Sequence, residues 1–158
     1  MPEVAVVFPL EQMQVGDTYV LNDIPLHLTV LSNARLTGAA SGFVDEVRRA
    51  AEGCAPFTAR ALGLELFGPN ANIPVTEVTV VPTLRRLHEA LCEAVLRHGG
   101  EAVEPAYWGA DFRAHVTKTP RGLGIDPGSE VRLDRVALID CSQPIRKVIW
   151  TEPLAHPV

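Results

Sequence analysis

Apolar positions along this chain fall mostly in short alternating blocks, and only two stretches keep a helical period. Residues 5–8, Ala-Val-Val-Phe, form an apolar run before the polar stretch around Gln12, and read as a first strand. Residues 24–31 are a second strand candidate, preceded by the turn-forming pair Asn22 and Asp23. Phe43, Val47 and Ala50 then recur at helical spacing, with Ser41 as the expected N-cap and Gly53 as the stop. Two β-type runs follow, 57–67 and 75–81, separated by a Gly-Pro-Asn loop at 68–72.

The second helix has the stronger pattern. Pro82 opens it, Leu84, Leu87, Leu91 and Val95 make its apolar stripe, and Gly99 and Gly100 close it. An irregular segment, 103–111, carries Tyr107 and Trp108. Strands are expected at 112–119, ended by Pro120, Arg121 and Gly122, then at 131–140 and 147–151, with a turn at Ser142, Gln143 and Pro144. Two helices in an otherwise β-rich order predict a single α+β domain over residues 1–158, compatible with two similar halves.

Composition narrows the class. The chain has 158 residues, 47% of them hydrophobic, enough for one core without disulfides. Thirteen prolines and twelve glycines fit many turns and short elements. Cys54, Cys92 and Cys141 are odd in number and widely spaced, so free thiols in a reducing compartment are expected rather than a disulfide framework. The N-terminus lacks a basic start, and no run approaches the ~20 apolar residues of a membrane span. A cytoplasmic monomer with no membrane contact is expected. The net charge of −5 argues against a long nucleic-acid footprint, which needs many cations facing phosphates. It leaves room for a small or end-bound phosphate ligand.

One short pattern occurs twice. His27-Leu28-Thr29-Val30 lies in the second strand run, and His115-Val116-Thr117-Lys118 lies in the strand after the irregular segment. Side chains alternate in a strand, so His27 shares a face with Thr29, and His115 with Thr117. Leu28 and Val116 point to the other face, where a core wants them. Imidazole titrates near pH 6.5, so one histidine can accept a proton while another donates one. Threonine hydroxyls suit a phosphoryl oxygen. The set fits in-line attack on a phosphodiester. The other histidines, His88, His98 and His156, lack this context and are assigned solvent or packing roles. No two histidines lie close enough in sequence to chelate a metal, so neither a metal nor a cofactor is expected.

The paired His-x-Thr motifs resemble those of the 2H phosphoesterases, and among them the bacterial 2'-5' RNA ligase-like and cyclic phosphodiesterase members. The lead-in Phe112-Arg113-Ala114-His115 is similar to the family's Phe-x-Pro-His, with Ala114 in place of proline. Lys118 departs from the usual apolar last position, and strand alternation puts it on the face away from His115 as a solvated edge charge. The resemblance implies two pseudo-symmetric lobes whose antiparallel sheets line a central groove, with helices outside. It also implies His27 and His115 as the acid–base pair, and Thr29 and Thr117 as ligands of the non-bridging oxygens. Arg113, on the His115 face, is a candidate phosphate contact or a rim salt bridge. Tyr107 and Trp108 are candidates for stacking on a nucleobase or for anchoring their loop. The expected reaction is metal-independent opening of a 2',3'-cyclic phosphate on a nucleotide or RNA end, or of a related 2'-5' phosphodiester, with reversible ligation as a variant. The alternative is a noncatalytic module that binds a phosphorylated small molecule or RNA terminus.

Overall fold

The computed structural model describes residues 1–20, 23–120 and 122–155. Asn22 of the expected first turn, Arg121 after the second motif, and His156 lie outside the described residues. The elements run in the order β1 (Glu3–Pro9), β2 (Thr18–Val20), β3 (His27–Arg35), α1 (Val44–Ala51), β4 (Phe57–Phe67) and β5 (Ile73–Val78). They continue with α2 (Pro82–Arg97), β6 (Glu101–Ala102), β7 (Ala114–Thr117), β8 (Glu130–Leu133), β9 (Arg135–Asp140) and β10 (Ile145–Pro153).

The helices follow their sequence signals, with one difference. In α2, Pro82 occupies the first turn, where its missing N–H loses nothing, and the stripe of Leu84, Leu87, Leu91 and Val95 is wholly buried. Its end needs glycine. Gly99 adopts φ +66, and a Cβ on Gly100 would sit 2.5 Å from the Arg35 carbonyl oxygen, where the chain passes against β3. Ser41, expected as the N-cap of α1, instead lies inside a 3₁₀ turn, Ala40–Phe43, that runs straight into the helix, so its hydroxyl caps nothing. Gly53 follows α1 at φ +76, as a stop requires.

All strand pairs are antiparallel, in the order β2-β10-β9-β1-β3-β7-β5-β4-β8, with β6 beside β3. The architecture is α+β, a large antiparallel sheet with two helices. The motif strands β3 and β7 meet in the middle of that order through the pair Leu28 and Val116. The sheet's two sides are not the two halves of the sequence. Both chain ends, through β1, β3, β9 and β10, build the His27 side, and the middle of the chain builds the His115 side.

The expected strand at 131–140 is two strands. β8 pairs with β4, while β9, beginning one residue after Asp134, pairs with β1 and β10. Strands from opposite sides of the pairing order are thus joined by a single residue, so the sheet must curl round its core. The ring contact of Phe8 on β1 with Phe57 on β4, 5.7 Å between centroids, closes that interior. Its main core holds Phe8, Leu28, Val30, Phe43, Leu91, Val116 and Leu138. A smaller cluster of Ala5, Val7, Met13, Ile139 and Val148 covers the opposite face of β1 and β9. The short strands β2 and β6 carry too few apolar residues to register in the sequence pattern.

Candidate active site

β3 begins at His27 and runs to Arg35, with Val7 opposite Thr29 and Pro9 opposite His27 on β1. On the other side lies β7, with Leu28 opposite Val116. Antiparallel pairing carried one step each way places Thr29 beside His115 and His27 beside Thr117. Four candidate side chains therefore share one face in a checkerboard, with the histidines on its diagonal. The reverse face is core: Leu28 and Val116 are buried.

Both imidazoles are oriented in the same way. Nδ1 of His27 lies 2.7 Å from the Pro25 carbonyl oxygen, and Nδ1 of His115 lies 3.1 Å from the Arg113 carbonyl oxygen. A carbonyl only accepts, so each Nδ1 carries the proton, and each Nε2 is left to exchange protons. Each acceptor lies two residues before its histidine, so the motif orients its own ring. Burial pushes both histidines below the ordinary imidazole value. For His115 the positive fields of His27 and Arg113 act in the same direction, while the carbonyl bond and Glu77 oppose them. His27 is thus close enough for its charge to act on His115.

A cleft of about 720 Å³ includes His27, Thr117, Ile24, Ile73, Pro74 and Lys118 in its lining. A larger hollow of about 870 Å³ shares Pro74 and Lys118 but contains neither motif histidine. The smaller cleft contains His27 and Thr117 of the candidate set, and the larger hollow contains none of it. Lys118 is exposed at the rim between the two.

The other candidates are distributed unevenly. Tyr107 stacks on Phe67 at 5.1 Å, and the Phe67 ring lies 4.6 Å from His115, so Tyr107 stands at the edge of the site. Trp108 does not stand free: its indole N–H donates to Ser32 Oγ at 2.7 Å and ties its loop to β3. Arg113 is gripped by Glu77, with Nε donating to Oε2 at 2.9 Å and Nη2 to Oε1 at 2.7 Å, and its guanidinium lies 4.6 Å over Phe67. The Arg113 bonds hold the Glu77 carboxyl below its usual range.

Phe67 and Glu77 were not legible as site residues. Glu77 left a faint signal, a carboxylate inside a β-branched run; Phe67 left none, because its place depends on how the β4–β5 hairpin curls. His88 plays a packing role. Its Nδ1 donates to the Val30 carbonyl oxygen at 2.8 Å, its Nε2 accepts from the Gly109 N–H at 2.9 Å, and Phe112 stacks on it at 3.9 Å. Cys92 Sγ is 3.4 Å from that Nε2, but burial pushes its thiol up to about 11, so the pair is no nucleophilic dyad. His98 sits at the surface against Glu46.

The chain has recognisable relatives. The family model of the 2'-5' RNA ligase superfamily matches residues 2–140. The chain belongs to the 2'-5' RNA ligase superfamily. Among curated proteins no relative matches. Solved structures share its fold at low identity. A phosphoesterase is 13% identical, covering 98% of this chain and 99% of that chain, with a TM-score of 0.60. The protein TT0787 of Thermus thermophilus is 19% identical over 100% of both chains, with a TM-score of 0.57. LigT of E. coli, solved with 3'-AMP, is 12% identical over 98% of this chain and 99% of that one, with a TM-score of 0.55. Membership of the 2'-5' RNA ligase superfamily supports an enzyme with phosphodiesterase-type activity. Among the described residues no helix is long and apolar enough to cross a membrane.

Proposed function

We propose that this superfamily member is a metal-independent phosphodiesterase that opens a 2',3'-cyclic phosphate, on a nucleotide or RNA end, by acid–base catalysis between His27 and His115. The observation that carries this reading is the checkerboard of two histidines and two threonines, with both imidazoles held in the same tautomer. A neutral Nε2 takes the proton of the attacking water. The opposite, protonated Nε2 gives its proton to the departing ribose oxygen. The hydroxyls of Thr29 and Thr117 donate to the non-bridging oxygens and stabilise the charge that builds there. Which histidine serves as base depends on which ester bond breaks.

Tyr107, backed by Phe67, offers an aromatic face to a nucleobase at the edge of this site. The LigT structure with 3'-AMP favours a nucleotide-sized ligand for this fold. The deciding experiment is hydrolysis of 2',3'-cyclic nucleotides in excess EDTA, with the product phosphate assigned. Turnover is expected to persist; binding without turnover, or loss of rate with EDTA, overturns the reading.

The pH dependence follows from the two histidines. The base must be neutral, so kcat/KM rises as pH passes the lower value; the acid must be protonated, so it falls above the higher one. Both groups lie below the ordinary imidazole value of 6.5 in the free enzyme. The bell is therefore expected to peak on the acid side of pH 6.5. A kcat/KM profile from about pH 4 to about pH 9 checks this, and a plateau reaching about pH 8 contradicts it.

A further inference from the structure

We propose that the Glu77–Arg113 ion pair is a tuning device for His115, making it chemically distinct from His27 in an otherwise duplicated site. Glu77 is the direct cross-strand partner of His115 between β5 and β7. Arg113 stands two residues before His115 on the same face and grips Glu77 with both ends of its fork. Its guanidinium also lies over Phe67, whose ring touches that of His115. Both charges are thus held beside one imidazole.

The same two positions around His27 carry no charge. Pro9 is its cross-strand partner on β1, and Pro25 stands two residues before it. Two prolines replace an acid and a base. The motifs match in backbone and tautomer, and differ in field. Burial and a carbonyl two residues back are the largest influences on both rings; His115 also feels Glu77 and Arg113, which act on its proton equilibrium in opposite directions.

The pair does little for the fold. The Arg113 and Glu77 side chains are 43% and 21% exposed, and a rim pair of that kind contributes little stability. Its effect is local. The carboxylate favours the imidazolium of His115, the guanidinium favours the neutral ring, and the two-point contact keeps them balanced. The remaining groups facing this cluster are His27 from β3, Tyr107 from the preceding turn, and Glu65 from β4, which reaches Arg113. None of them takes the place of Glu77 against the guanidinium fork. Glu77 and Arg113 are therefore positioning residues, and their role rests on the acid–base reading of His115.

The test is an NMR titration of the histidine side chains in the full chain, with Arg113→Gln, Glu77→Gln and the double variant. Arg113→Gln leaves the carboxylate unbalanced, and the His115 midpoint is expected to rise measurably. Glu77→Gln leaves the guanidinium unbalanced, and the midpoint is expected to fall. The double variant is expected to return close to the parent, with the His27 midpoint moving less throughout. A His115 midpoint unmoved in both single variants, or a double variant that does not return, overturns the tuning role. Because the readout is a proton equilibrium, it stands whether or not cyclic phosphates are hydrolysed. Two single variants with opposite expected signs keep the test decisive if one of them fails to fold.

Discussion

Replacing His27 or His115 by Ala is expected to lower turnover of a 2',3'-cyclic nucleotide by about 10²–10⁴-fold, the usual size of a lost general acid or base. The expectation comes from geometry. Each ring is fixed by a bond from its own Nδ1 to a carbonyl two residues back, so each has one nitrogen available for proton transfer. Among the described residues neither histidine has another imidazole to take over its half of the reaction, because His88 is locked by Val30 and Gly109, and His98 is engaged by Glu46. The double variant should fall little below the worse single one, since the two groups act as a unit. KM should change much less than kcat. Steady-state rates with matched circular dichroism check this, and a near wild-type rate in either single variant refutes the two-histidine mechanism. Thr29→Val and Thr117→Val should lose less, because each removes one hydrogen bond to an oxygen and no proton carrier.

The second large effect concerns folding. His88→Ala is expected to destabilise the protein by about 3–5 kcal/mol, combining a core cavity with a buried backbone group left unsatisfied. His88 is 1% exposed, stacks on Phe112, and joins α2 to β3 and to the turn before β7. Its removal frees the Gly109 N–H and loosens the segment that carries Tyr107 and leads to Arg113. Urea or thermal unfolding reads the loss directly. His98→Ala supplies the contrast: its side chain is 39% exposed, and its half-buried contact with Glu46 should contribute about 1 kcal/mol. Equal stability of the His88 and His98 variants would show that the buried imidazole is not a structural tie.

The legible part of the site was its repeated part. His-x-Thr on a strand is local chemistry, since alternation alone puts imidazole and hydroxyl on one face whatever the partners are. Arg113 was legible as a residue on the His115 face, and its two-fold grip on Glu77 was not, because the pairing of β5 with β7 joins residues 36 positions apart. Trp108 read equally well as a stacking ring or an anchor, and only Ser32 opposite its N–H distinguishes the two. The helical pattern of α2 carried over to the structure, because its buried stripe is set by a period within one segment. The strand expected at 131–140 did not. Charged residues at Arg132, Asp134 and Arg135 break up its apolar positions without marking a turn, and the change of partner at Asp134 is imposed by a sheet that curls round its core.

The α+β class, the amphipathic helix and the two motif strands are written into the chain itself, because they depend on periods and side-chain chemistry within a few residues. The meeting of the motif strands at the centre of the sheet is a product of the packed fold. So are the assignment of Phe67 and Glu77 to His115, and Pro9 standing opposite His27 where a charge could have stood. Those facts depend on strand register, and register is settled by which distant apolar faces bury one another.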